Sequence, residues 1–243
     1  MSKILVWDIP ARFFHFAFAA SLTAAIGIGF LVDDDAPAFQ LHMIFGIIAL
    51  FLLAIRLVMG LFGSRYSRFS SFPLNPVEVV RYLTSAVIFK NKRYAGNNPG
   101  SAVAALLMFL LVPALFLSGS GLVGGEVEEV HESLAWALLA VIVLHLAGLA
   151  WHTIRHRENI SLAMVTGKKA GAPENAISSA HWGWGIALVV LSGAWVAALF
   201  ASHDPAQGTV GLPGTGVTLQ LGENEHEHGH GRKHGKREHE HDD

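Results

Sequence analysis

The sequence predicts an all-α protein that crosses a membrane several times, because the chain is rich in apolar residues and poor in charge. Of its 243 residues, 52% are hydrophobic and 15% are charged, whereas globular domains carry about 25% charge. The mean hydropathy of +0.43 agrees with this class. Five stretches reach the roughly 20 apolar residues that an α-helix needs to cross the hydrocarbon. A soluble bundle of buried helices is the alternative, and it accounts less well for the distribution of charge.

The five predicted spans contain almost no charged side chains. The first and third are free of Asp, Glu, Lys and Arg, and Arg56 is the only charged residue of the second. We expect a four-helix bundle plus a fifth transmembrane helix, within a transmembrane domain of residues 1–203. The spans cover residues 13–32, 39–63, 99–124, 131–154 and 179–202.

Lysine and arginine lie on one side of these spans. Before residue 204 there are thirteen of them, and all except Arg56 precede the first span or follow the second or fourth. The connections at residues 33–35 and 126–132 contain none. Because positive residues favour the cytoplasmic side, we expect a membrane protein with its N-terminus in the cytoplasm and its C-terminus outside. The lipid bilayer is then a partner, and the net charge of −2 argues against nucleic acid.

The long connection after the second span contains a predicted amphipathic helix. Asn75 and Pro76 precede residues 77–89, in which apolar side chains recur at helical spacing. A helix that lies on the membrane surface and an ordinary solvated helix both fit this pattern.

The last forty residues differ in composition from the spans. Residues 204–222 are rich in Gly, Pro, Thr and Leu and are predicted to be a periplasmic linker. Residues 223–243 contain nothing to bury, so we expect a disordered tail. Its histidines either capture Zn, Ni or Cu or are simply solvated; they are His226, His228, His230, His234, His239 and His241.

Four other histidines fall into two pairs when they are placed by depth. His131 and His145 are fourteen residues apart in the fourth span, so they share one helix face and are separated by about 21 Å along the axis. His15 lies in the first turn of the first span, which enters the membrane from the cytoplasm. His42 lies in the first turn of the second span, which enters from the outside. Depth therefore pairs His15 with His145 near the inner surface and His42 with His131 near the outer surface.

Two pairs of imidazoles stacked across a membrane suit two b-type haems, since haem iron takes histidine as an axial ligand. The chain has no Cys, so any haem is bound without a covalent thioether bond. Zinc is the alternative metal, but a zinc site usually has four ligands. Within the spans, only Glu129 and Glu132 lie near a pair, beside His131.

Small and basic residues stand near these histidines. Gly46 follows His42 by one helical turn and Gly148 follows His145 by three residues, and both leave room for a flat macrocycle. Arg56 shares the face of His42 but lies at the depth of the inner pair. Arg56 and Arg12 are therefore candidates to bind the propionates of an inner haem. The alternative for each arginine is an anchor at the membrane interface.

His152, His156 and His181 form a predicted group at the cytoplasmic edge. Contact with lipid headgroups is the simpler interpretation of this group. A proton-carrying role beside a quinone is the alternative, because histidine titrates near neutral pH.

Four segments together resemble bacterial di-haem cytochrome b proteins, a family that includes the b-type cytochrome subunit of nickel–iron hydrogenases. The resemblance covers roughly residues 5 to 200 and is most specific around the fourth span. The matching segments are Trp7-Asp8 with Pro10 to Arg12 and His15; His42 with Gly46, Arg56 and Gly60; Asn98-Pro99 with Gly100, Ser101 and Ala102; and His131-Glu132 with His145, Gly148 and residues 155–168.

The resemblance implies that the chain passes electrons through the bilayer of the bacterial inner membrane by two non-covalent haems. The C-terminus is then expected in the periplasm. The resemblance further implies membrane quinone or quinol at one end and a redox partner at the other, for which a periplasmic c-type cytochrome or a hydrogenase-like enzyme is expected. Two other functions stay open. One is a stand-alone haem oxidoreductase such as a superoxide oxidase, and the other is a non-redox metal transporter with a metal-capturing tail.

Overall fold

The computed structural model describes residues 2–87, 94–120, 127–157 and 159–221 of the chain. The predicted tail of residues 223–243, with its six histidines, lies outside this part.

The described chain is mainly helical. Seven α-helices run in the order α1 Ile9–Leu31, α2 Gln40–Phe62, α3 Pro76–Val87, α4 Pro99–Gly119, α5 Val127–His156, α6 Ser161–Thr166 and α7 Trp182–Ala201. In the described residues, α1, α2, α4, α5 and α7 are the helices long and apolar enough to cross a membrane. The predicted class, an all-α polytopic membrane protein, is thereby confirmed.

Capping residues determine where two of these helices begin. Asp8 accepts a hydrogen bond from the backbone nitrogen of Ala11 at 2.9 Å, so α1 starts at Ile9 instead of residue 13. Asn98 caps α4 in the same way, and the Ser101 hydroxyl reciprocates by accepting from the Asn98 backbone nitrogen. Side-chain oxygens at these positions satisfy backbone donors that the first helical turn leaves free. The helix α4 ends at Gly119, and the predicted end of that span at residue 124 lies outside the described residues.

The long helices pack as two antiparallel hairpins, α1 with α2 and α4 with α5. The hairpins meet where α2 contacts α4, and α7 packs on α1. The buried core follows α2, whose Ile44, Ile48, Leu52 and Leu53 are almost inaccessible to solvent. The central position of α2 explains why it is the most buried of the five spans.

Short strands close both ends of the bundle. At one end, β1 (Ser2–Leu5) pairs antiparallel with β2 (Lys168–Gly171). We call this the basic end, because Arg12, Lys168 and Lys169 lie there, and the other the acidic end, because it carries Asp33 to Asp35. The pairing places the N-terminal segment and the segment after α5 at the same end, as the four spans between them, α1, α2, α4 and α5, require.

The segment that we predicted to be a linker, residues 204–222, is folded up to residue 221. Strands β3 (His203–Asp204), β4 (Thr209–Gly211) and β5 (Thr218–Gln220) form an antiparallel sheet at the acidic end. Val210 and Leu221 are buried, and Gln40 at the start of α2 forms a hydrogen bond with His203 Nε2 at 2.8 Å. These buried apolar side chains stabilise a small sheet where composition alone indicated an extended connection.

The contact between α7 and α1 depends on a glycine. A Cβ at Gly185 would lie 2.3 Å from Ile9 Cγ2, whereas a Cβ at Gly183 would meet no atom within 4 Å. We expect Gly185→Ala to lower stability by about 1–3 kcal/mol, because Ile9 is β-branched and cannot easily move aside. The measurement is the temperature at which half of the detergent-solubilised protein leaves the monodisperse peak in size-exclusion chromatography.

Gly183→Ala is the matched control on the same helix and should leave this temperature unchanged or slightly higher. Equal effects of the two substitutions would contradict the packing of α7 against α1.

Candidate functional site

His42 and His131 face each other across the two hairpins. His42 lies in the first turn of α2 and His131 in the first turns of α5. Their ring centroids are 6.0 Å apart and the ring planes cross at 69°. The structure thus brings together the two histidines that depth alone paired at the outer side.

Each of these imidazoles is oriented by a backbone carbonyl of the preceding helix in its own hairpin. His42 Nδ1 lies 2.8 Å from the carbonyl oxygen of Ala25, and His131 Nδ1 lies 3.1 Å from that of Leu115. A carbonyl only accepts, so Nδ1 carries a proton in both rings, and in the neutral imidazole Nε2 then keeps its lone pair. The Ser118 hydroxyl is also 3.1 Å from His131 Nδ1.

Glycines make room for both rings. A Cβ at Gly29 would lie 3.0 Å from His42 Nδ1, and one at Gly119 would lie 2.9 Å from His131 Nδ1. Each glycine follows the accepting carbonyl by four residues, Gly29 after Ala25 and Gly119 after Leu115. Both histidines are therefore held in the same way. A backbone carbonyl of the neighbouring helix accepts from Nδ1, and a glycine one turn later leaves space for the ring.

An aromatic ring also restrains His42. Phe39 stacks on its imidazole with ring centroids 5.1 Å apart and planes 15° from parallel. Sequence reasoning missed Phe39, Gly29 and Gly119. In these spans many glycines stand four residues after an apolar residue, so the sequence alone did not distinguish Gly29 and Gly119 from the others.

His15 and His145 form the second pair. His15 lies on α1 near the basic end and His145 on α5, and both are half-buried. The two imidazoles are near enough to interact electrostatically. This is the pairing that depth predicted for the inner side.

Gly46 and Gly148 face open space. A Cβ at either position would meet no neighbouring atom within 4 Å. Gly46 is half-buried on α2 and Gly148 is exposed on α5. Neither position therefore projects a side chain beside His42 or His145.

Arg56 is buried in a box of aromatic rings. Only 7% of the residue is exposed, and the guanidinium carbon lies 5.3 to 5.8 Å from four ring centroids, those of Phe14, Phe69, Phe72 and Phe109. Its Nη1 is buried without a hydrogen-bond partner among the described residues. A buried guanidinium nitrogen without an acceptor is costly, so this atom is suited to an anionic oxygen.

Gly60 allows this box to close. A Cβ at Gly60 would lie 2.1 Å from Phe69 Cε2, so only glycine lets the Phe69 ring lie against α2. Phe69 belongs to a single 3₁₀ turn outside the span, Phe69–Ser71. The connection after α2 thus folds back over Arg56.

Arg12 takes part in a different set of contacts. Its Nε donates to the carbonyl oxygen of Met164 at 2.9 Å, and its Nη2 donates to that of Val165. These carbonyls lie near the end of α6, where a cation is favourable. The predicted role of Arg12 with a propionate stays a prediction.

The remaining described histidines lie on different elements, and the predicted group at the cytoplasmic edge stays a prediction. His152 is half-buried on α5, and His181 precedes α7 with a left-handed backbone, φ 51°. The side chain of His156 and the tail histidines lie outside what the structure describes. Within the described ranges, no group of three or more His, Asp or Glu side chains is placed to hold a metal ion.

A comparison with protein families matches residues 6–167 to the model for prokaryotic cytochrome b561. No curated protein and no solved structure matches the chain. The matched range covers about two thirds of the chain and contains both histidine pairs, Arg12, Arg56, Gly46 and Gly148. Members of this family bind b-type haem and carry electrons across a membrane, and the five apolar helices fit that role. The chain belongs to the prokaryotic cytochrome b561 family.

Proposed function

We propose that this protein transfers electrons across the bacterial inner membrane through two b-type haems, one held at each end of the bundle. The observation that carries the proposal is the placement of two imidazole pairs on three spans, α1, α2 and α5, with one member of each pair on α5. The electrons would pass between the membrane quinone pool and a periplasmic redox partner.

The outer pair fits one haem iron. A separation of about 6 Å between ring centres leaves room for one metal ion between two imidazoles, since a metal–imidazole bond is about 2 Å long and the ring centre lies about 1 Å beyond the nitrogen. The observed separation of His42 and His131 is 6.0 Å. Both rings also keep Nε2 available, since Nδ1 is hydrogen-bonded to Ala25 and Leu115, and this arrangement of a second partner is typical of histidine ligands to metals.

The inner pair has the same ligand chemistry and an additional charge. His15 and His145 would hold the inner haem through imidazole nitrogens. Arg56, whose Nη1 is buried without an acceptor, would bind a propionate oxygen. Arg12 is the second candidate for this role, through nitrogen atoms that Met164 and Val165 do not occupy.

The haem, when bound, supplies a one-electron carrier, and the protein supplies its position and surroundings. His131 and His145 on α5 set the spacing of the two centres along the membrane normal, about 21 Å. Gly46 and Gly148 keep the facing helix surfaces flat. The buried charge of Arg56 would stabilise additional negative charge on a group held beside it.

The charges at the two ends of the bundle support the proposed orientation of the protein in the membrane. The basic end carries the lysines and arginines that favour the cytoplasm, and the acidic end holds the outer histidine pair. A periplasmic c-type cytochrome or a hydrogenase-like enzyme is therefore proposed as the partner at the acidic end. Quinone is the proposed lipid-soluble reactant.

The ligand pairs are tested by single and double substitutions. We expect His42→Ala, His131→Ala, His15→Ala and His145→Ala each to reduce the content from two haems per chain to one. The double variant within a pair, H42A/H131A, should lose no more haem than either single variant. The cross-pair variant, H131A/H145A, should lose both, and pyridine haemochrome absorbance against protein concentration measures each ratio.

His203→Ala is the control for a histidine outside the pairs and should keep two haems. A within-pair double variant that loses both haems, or a cross-pair variant that keeps one, would overturn the pairing.

The orientation of His42 is tested at Gly29. Gly29→Ala should displace the His42 imidazole, because its Cβ would lie 3.0 Å from Nδ1 and 3.1 Å from Cε1. Losing such an outer-shell restraint typically costs about 10–100-fold in metal affinity, so we expect partial loss of one haem and a changed midpoint potential for that haem. Optical redox titration of the purified protein resolves the two centres.

Gly27→Ala lies on the same helix and would meet no atom within 4 Å, so it should behave as the unsubstituted protein. If both alanine variants behave alike, the close approach of Gly29 to His42 has no role in the site.

The role of Arg56 is tested by removing its charge. Reduction adds an electron, which a nearby positive charge stabilises, so Arg56→Gln should lower the midpoint potential of one haem by on the order of 50 mV. The other haem should keep its potential, and the same redox titration measures both.

Arg65→Gln is the matched control, since Arg65 is exposed and donates to the carbonyl of Glu174. An unchanged potential in the Arg56 variant, with both haems present, would exclude contact between Arg56 and a haem.

A further inference from the structure

The helix α3 turns its polar side toward the rest of the protein. The Tyr82 ring lies 3.3 Å from where a Cβ on Gly100 would stand, and Glu78 Oε1 accepts a hydrogen bond from the Tyr94 hydroxyl at 2.8 Å. Burial and the Glu78 carboxylate raise the pKa of Tyr94 to about 12, so this phenol stays a donor at neutral pH. Glu78, Tyr82 and Ser85 are all half-buried.

The opposite side of α3 is apolar and exposed. Val77, Val80 and Leu83 are 66%, 61% and 53% exposed. At 3.6 residues per turn they occupy an arc of about 120°, centred on the side opposite to Glu78, Tyr82 and Ser85. A helix on the surface of a soluble domain has the reverse arrangement, with its apolar side toward the core.

The neighbouring elements set the level of α3 in the membrane. Tyr82 packs at Gly100, in the first turn of α4, where that span begins. The preceding span, α2, ends at Phe62, which is 82% exposed and lies at the same end. The exposed side of α3 therefore continues the apolar surface of two spans at the level where they leave the hydrocarbon.

We propose that α3 is an interfacial helix whose Val77, Val80 and Leu83 insert into the lipid leaflet at the basic end. The apolar side of α3 contacts the boundary between acyl chains and headgroups, because this side is continuous with the lipid-facing ends of α2 and α4. Arg81 is exposed and lies between the apolar and polar arcs, where its guanidinium reaches lipid phosphates.

The chain contains no Cys, so single cysteines can be labelled with a nitroxide without removing native thiols. Val80→Cys and Leu83→Cys are labelled in the purified holoprotein and reconstituted into vesicles of phosphatidylethanolamine and phosphatidylglycerol. Continuous-wave EPR then compares collisions of each label with oxygen, which concentrates in lipid, and with a water-soluble nickel chelate. Burial of α3 in the leaflet should make the nickel collision rate at both sites at least about threefold lower than at an aqueous site.

Val217→Cys is the matched aqueous control, since Val217 is 48% exposed and lies beyond the last span, between β4 and β5. Nickel collisions at residues 80 and 83 equal to those at residue 217 would show a solvated helix and overturn the proposal. Protection from both nickel and oxygen would also overturn it, because the side would then be covered by protein, such as a second copy of the chain.

Discussion

In the hydrocarbon no water can accept the proton of an imidazole, so a histidine in a spanning helix needs an acceptor within the protein. Ala25 and Leu115 supply that acceptor for His42 and His131. Each carbonyl lies on the partner helix of the same hairpin. The histidine is therefore oriented only when the two helices of its hairpin have packed together. The meeting of the two hairpins then brings the two oriented rings together. Apolar packing along α2 holds the four helices together, and these two bonds fix the orientation of the two rings within that arrangement.

The buried Arg56 follows the same logic at the opposite end. A guanidinium inside a membrane protein is stable only where its charge is compensated. Four aromatic faces provide part of that compensation through their quadrupoles, and Asp8 adds an opposite charge from the start of α1. Gly60 lets Phe69 close the box. The charge is thus held by α1, α2, α4 and the connection after α2, which ties the packing of one end of the bundle to a single cation.

The spans and both histidine pairs were predictable because their signals are local and periodic. Apolar length identifies a membrane helix, and depth pairs His131 with His42 and His145 with His15 without knowledge of packing. Other features depend on tertiary contacts. Gly29 and Gly119 matter only because an imidazole from the next helix reaches the carbonyl one turn earlier. The sheet of β3 to β5 was missed because its strands are two or three residues long and are stabilised by burial of Val210 and Leu221.

The pairing of β1 with β2 has a consequence for how the protein assembles. Ser2 pairs with Gly171, so residues at the beginning of the chain acquire their partners only after four spans have been synthesised. Contacts between such distant residues form late, since loop-closure entropy opposes them until the intervening helices are in place. Until then the backbone groups of β1 are unpaired at the membrane surface. Pairing of β1 with β2 at the basic end therefore requires that the four spans α1, α2, α4 and α5 are already in place.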